Sequence, residues 1–158
     1  MNHEALAKSL ADPQLEILTL ISMLIDEDAL YKGLEVLSKD DFKESMHQAL
    51  FSEIVKTYER LGRGFQTAEF IAEIKDRKLK EYLLVSVNRY LPMADFDYYV
   101  GKLKDYSRRR KIFNLLPKLQ AKIINQVPAD DTIGYIETKL LEITQEELEK
   151  VPLNPGKS

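Results

Sequence analysis

The chain has 158 residues, 44% hydrophobic and 31% charged, the size and balance of one globular domain. It has no cysteine, which excludes a disulfide scaffold, a thiolate metal site and a cysteine nucleophile. A formal net charge of −3 gives no global field for nucleic acid. The longest apolar stretch, residues 17–25, is far short of the roughly 20 residues that span a bilayer.

Residues 1–11 mix charged and apolar side chains without a signal peptide's apolar core. They read as an N-terminal tail of a cytoplasmic protein. Asp12-Pro13 is a capping residue followed by proline at a first helical position. From there Leu15, Leu18, Ile21, Met23, Leu24 and Ile25 leave little polar face, which predicts a central, buried helix. Asp26-Glu27-Asp28 ends it. Leu30, Leu34 and Leu37 predict a short second helix over 29–37. A polar connector follows, ending in Phe42.

Ala49, Leu50, Ile54, Tyr58 and Leu61 recur at helical spacing and predict a third helix over 45–61, stopped by Gly62-Arg-Gly64. Thr67 is the expected cap of a fourth, which buries Phe70, Ile71 and Ile74. A fifth spans about 79–90, carries Tyr82, Leu83, Val85 and Val87, and is closed by Pro92.

The last third changes character. One long helical pattern covers 95–127, and Pro128-Ala-Asp-Asp131 leads to another that reaches about 149, with Asp131 as its expected cap. The second pattern carries one stripe, Ile133, Ile136, Leu140, Ile143 and Leu148. The fold expected is therefore all-α, a compact helical head of about five helices followed by a long antiparallel helical hairpin. Its divisions are tail 1–11, head 12–92, hairpin 93–150 and a proline-rich linker 151–158. The first hairpin arm has two stripes, Tyr99, Leu103, Tyr106, Phe113 and Leu116 along one and Ile112, Leu115, Leu119 and Ile123 along the other. A partner helix covers only one, so self-association is expected. Pro117 removes a helix amide at a cost of roughly 3 kcal/mol unless the helix bends, so a kink or short break is expected near Leu116.

Candidate chemistry is sparse. Gly156-Lys157-Ser158 has the ending of a phosphate loop, but Val151 stands where the motif needs glycine. His3 and His47 have no partner at ligand spacing, and a structural role suits His47 better. The pairs Asp40-Asp41 and Asp130-Asp131 precede helices, where negative charge favours the dipole. Arg108-Arg109-Arg110-Lys111 is the strong basic cluster. Four consecutive helical residues fan out by about 100° each, so solvated or paired charge outweighs both a DNA contact through Arg108, Arg109 and Arg110 and a charged protein interface. No catalytic residue, metal site or cofactor is expected.

The segments together resemble a known family. The run from Pro13 to Asp26 is similar to the opening helix of DnaB-type replicative helicases. Val36-Leu-Ser-Lys-Asp-Asp-Phe42, then His47, then Leu50-Phe51, resembles that family's next stretch. Tyr58-Glu-Arg-Leu-Gly62 with Thr67, Asp97-Tyr-Tyr-Val100 with Arg108-Arg109, and residues 133–143 follow in the family's order. Ser22 stands where the family usually has glycine, and Pro117 interrupts the hairpin arm.

The resemblance implies the non-catalytic N-terminal domain of a replicative DNA helicase, whose ATPase motor lies in a separate downstream part. It implies hairpins that pair subunits into a dimer or trimer of dimers, here through Tyr99, Leu103, Phe113, Ile136, Leu140 and Ile143. It also implies recruitment of the C-terminal domain of primase, contact with the rest of the helicase, DNA met only indirectly, and no membrane. Tyr82 falls where the family places a tyrosine near the primase contact. Ile112, Leu119 and Ile123 are open to a subunit or to primase. The helicase-binding domain of primase itself reads much alike and stays an alternative, as does a stand-alone helical protein- or DNA-binding module.

Overall fold

A computed structural model describes residues 2–150, with side chains through Gln145. The linker expected at 151–158, with Gly156-Lys157-Ser158, and the Leu148 side chain lie outside them. The described residues are all-α: α1 (His3–Leu10), α2 (Pro13–Ile25), α3 (Glu27–Val36), a 3-10 turn (Lys39–Asp41), α4 (Ser45–Leu61), α5 (Thr67–Glu73), α6 (Arg77–Arg89), α7 (Phe96–Phe113), α8 (Leu116–Ile124) and α9 (Ala129–Lys150). They form two compact units that divide between Ser107 and Arg108, inside α7. Residues 3–10, read as tail, form α1, capped by the Asn2 side chain. Among the described residues no helix is long and apolar enough to cross a membrane.

The first unit is organised around α2. Asp12 accepts from Leu15 N–H and Pro13 occupies the first turn, so the helix starts where the sequence places it. Its residues Ile17, Leu20, Ile21, Met23 and Leu24 are each at most 3% exposed. A helix so apolar all round can only be stable inside a core. Its polar residues are satisfied locally, Thr19 donating to the Leu15 carbonyl and Ser22 to that of Leu18. Ser22 thus fits, buried, where glycine is usual.

Around this helix the others turn one face inward: Leu30 of α3, Leu50 and Ile54 of α4, Phe70 of α5, Leu83 of α6 and Leu103 of α7. A Cβ on Gly33 would lie 2.6 Å from Met23 Sδ, so α3 sits against α2 with no room for a side chain. Gly62, in the left-handed region at φ 67°, ends α4 with its N–H bonded to the Tyr58 carbonyl. The expected cap Thr67 is instead the first residue of α5, and its hydroxyl donates to the Leu24 carbonyl, tying α5 to the end of α2.

In the second unit α7 ends at Phe113, and α8 begins at Leu116 with Pro117 in its first turn. The break falls where the missing proline amide is harmless. Val127 N–H then bonds to the Lys122 carbonyl and Gln126 N–H to that of Ile123, with Gln126 at φ 57°. This is a Schellman cap with glutamine in glycine's usual place. Lys122 Nζ stands 4.3 Å from the Tyr135 ring centroid, so the chain reverses between α8 and α9. Asp131, the expected cap of α9, lies within its first turn, because Pro128 supplies the carbonyl that accepts from Thr132 N–H.

The strained Gln126 leads to a first prediction. Gln126→Gly should stabilise the chain by about 0.5–1 kcal/mol, because glycine adopts this conformation without a Cβ penalty. Thermal denaturation of the two proteins checks it, and an unchanged or lower midpoint would count against the cap.

Candidate functional site

The first unit holds a buried polar chain that joins three helices. Glu16, on α2, is 1% exposed, a carboxylate enclosed by apolar neighbours. Burying such a charge is costly unless donors surround it. Here Oε2 accepts from Lys43 N–H at 2.7 Å, and Oε1 accepts from Glu44 N–H at 3.1 Å and faces His47 Nδ1 at 2.8 Å. The carboxylate therefore fixes the segment that leads into α4.

An ionised carboxylate only accepts, so Nδ1 carries the proton. In the neutral imidazole Nε2 is then the acceptor, and it faces the Tyr82 hydroxyl of α6 at 2.6 Å. Burial pushes the Tyr82 pKa above its ordinary value, with Tyr90, Glu44 and Glu16 adding to the rise and the Ser86 bond opposing it. The phenol thus keeps its proton and donates inward.

A carboxylate orienting an imidazole is a common arrangement beside nucleophiles. Here the third member is the half-buried Tyr82 phenol, whose O–H faces Nε2. Among the described residues no three His, Asp or Glu side chains group as a metal site needs. The chain ties α2, the start of α4 and α6 together. A second such tie joins Asp41, 2% exposed, to Lys104 Nζ of α7 at 2.9 Å, while Asp41 also accepts from Ser38 N–H.

The residues expected at interfaces are spread over both units. Tyr82 is half-buried with its hydroxyl engaged inside. Next to it on α6, Leu84 and Val85 are exposed. Tyr99 and Leu103, expected on the pairing hairpin, are 5% and 1% exposed in the first unit's own core. The Tyr99 hydroxyl also accepts from Met93 and Ala94 N–H. The stripe drawn through Tyr99 and Leu103 continues one apolar line along α7, but the head claims its first half.

In the second unit Ile112, Leu116, Ile123, Ile124, Ile133, Leu140 and Leu141 are 46–75% exposed. Phe113, Leu119, Ile136 and Ile143 are partly covered. Arg108 and Arg109 are exposed and Arg110 is half-buried. The sequence reading missed Glu16, although a lone carboxylate in a helix otherwise apolar all round was a signal. It also missed the exposed loop residues Leu91 and Met93.

The family model described as "DnaB-like helicase N terminal domain" matches residues 8–105. Comparison with curated proteins gives no match. The fold is similar to the crystal structure of the N-terminal domain of DnaB helicase from Mycobacterium tuberculosis. That similarity has a TM-score of 0.68 at 20% identity and covers 84% of this chain and 98% of that one. Residues 8–105 contain the α2 core, the Glu16–His47–Tyr82 chain and the start of α7, the elements that set the head's architecture. The chain belongs to the family of DnaB-like helicase N-terminal domains.

Proposed function

We propose that this domain is the assembly and recruitment part of a replicative helicase, pairing with a second copy through α8 and α9 and receiving primase. One observation carries the reading: seven large apolar side chains of the second unit, Ile112 to Leu141, are 46–75% exposed. Grouped apolar exposure on so small a unit is a mark of an interface. A second copy presenting the same face would bury it isologously. The exposed side of α6, with Val85 beside the Tyr82 ring, supports a recruiting surface on the head. Chemical work belongs to the helicase motor, and DNA is met through that motor.

Two measurements test this. Sedimentation of the chain should show a dimer or larger, and calorimetric titration with the helicase-binding domain of primase should saturate. A monomer that ignores primase would sink the reading. Capture by an intact helicase hexamer instead would move the chain to the primase side.

A further inference from the structure

The outer face of α6 carries a pattern that the core does not use. Leu79, Leu83 and Ser86 are buried, while Leu84 is 41% exposed and Val85 62%. Cations stand beside both at helical spacing. Lys80 lies one turn before Leu84, Lys78 two turns before Val85 and Arg89 one turn after it. Glu81, the acidic residue of this helix, is held by Arg77 Nε at 3.3 Å. Lys78 and Arg89 are exposed and Lys80 is half-buried. Other carboxylates lie at the margins: Asp76 caps Leu79 N–H, exposed Glu44 stands on the flank of Tyr82, and exposed Asp95 follows the next loop.

The exposed apolar residues continue past the helix end to Leu91 and Met93, 70% and 85% exposed. Their backbone is fixed. The buried Tyr99 hydroxyl accepts from Met93 N–H at 3.0 Å and from Ala94 N–H at 3.2 Å, and Tyr90 N–H bonds to the Ser86 carbonyl. Apolar side chains held outward on a pinned backbone lose little entropy when they dock.

The pattern selects among possible occupants. Single-stranded nucleic acid stacks on exposed rings, and Tyr82 and Tyr90 are both half-buried. Lipid takes a continuous apolar stripe, yet Glu81 and Asn88 fall between Leu84 and Val85 around the helix. Separate apolar anchors set among cations suit a protein surface of opposite charge.

We propose that the outer face of α6, with Leu91 and Met93, docks an acidic amphipathic segment of a partner protein. The proposal rests on the recruiting surface assigned to α6 above and gives that surface its chemistry. Apolar residues of the partner meet Leu84, Val85, Leu91 and Met93, and its carboxylates meet Lys78, Lys80 and Arg89. Charges this exposed act chiefly on the encounter rate, so association slows as salt rises.

Two helical peptides that share one leucine face, and carry glutamate or lysine on the other, test it by titration against the full chain. The glutamate peptide should bind about tenfold tighter or better, with an advantage that shrinks in high salt. In Lys78→Glu/Arg89→Glu the preference should reverse, which damage to the fold alone would not produce. Equal binding of the two peptides, or a preference unchanged in the double variant, would overturn the proposal. Tighter capture of a single-stranded oligonucleotide or of anionic vesicles would overturn it in favour of nucleic acid or lipid. The helicase-binding domain of primase should displace the glutamate peptide. Primase that binds without displacing it would separate this face from recruitment and sink the proposal. A chain that ignores primase but keeps the peptide preference would sink only the recruitment reading.

Discussion

Glu16→Ala is expected to destabilise the chain by about 3 kcal/mol, a fall in melting temperature of about 6–12 °C for a protein of this size. The carboxylate is 1% exposed, and three donors point at it: Lys43 N–H, Glu44 N–H and His47 Nδ1–H. Alanine leaves all three without a partner and opens a cavity in the helix on which the core is built. Removing a buried acceptor exacts the desolvation cost of each stranded donor. The relief of no longer burying a charge offsets part of this, which keeps the figure near 3.

Glu16→Gln separates the causes. Glutamine retains one oxygen acceptor, and its amide can donate to Nδ1 if His47 moves its proton to Nε2 and donates to Tyr82. The amide cannot also accept from Glu44 N–H. About half the loss should therefore return, and the Nε2–H tautomer should appear in imidazole nitrogen spectra. Equal losses for alanine and glutamine would mean that charge, not acceptor geometry, holds the segment.

Self-association should weaken by two to three orders of magnitude in Ile123→Asp, with little change in the monomer. Ile123 is 71% exposed in the single chain, so a carboxylate there stays hydrated and folding stability should shift by no more than about 0.5 kcal/mol. In an isologous pair the substitution enters twice. Losing an apolar anchor costs about 2 kcal/mol per site, which gives about 4 kcal/mol in all, near a thousandfold. Sedimentation equilibrium at several concentrations measures it. If the dimer persisted with wild-type strength and primase affinity were also unchanged, Ile123 would lie outside both interfaces.

The helices themselves were written locally. Asp12-Pro13 starts α2, Gly62 ends α4 and Pro117 breaks the long arm, because each is a backbone effect that neighbouring residues cannot override. The all-round apolar character of residues 17–25 likewise determined that α2 would be central. Local rules misplaced two caps. Thr67 was drawn inward by the Leu24 carbonyl, a partner 43 residues away, and Pro128 supplied the carbonyl that Asp131 was expected to provide.

Tertiary structure decided which apolar faces are spent inside the chain. Periodicity places Tyr99 and Leu103 on a line with Phe113, yet the head's core covers the first two, and nothing in helical spacing reveals where that cover ends. It also decided the polar interior. His47 has no partner at helical spacing, because Glu16 is 31 residues before it and Tyr82 is 35 after. The sequence by itself determined the helical class, the breaks and the order of segments, since those follow from propensity and chain geometry. Only the folded chain decided the Glu16–His47–Tyr82 tie, the pinned Leu91–Met93 loop and the apolar face left open on α8 and α9, since burial is set by elements distant in sequence.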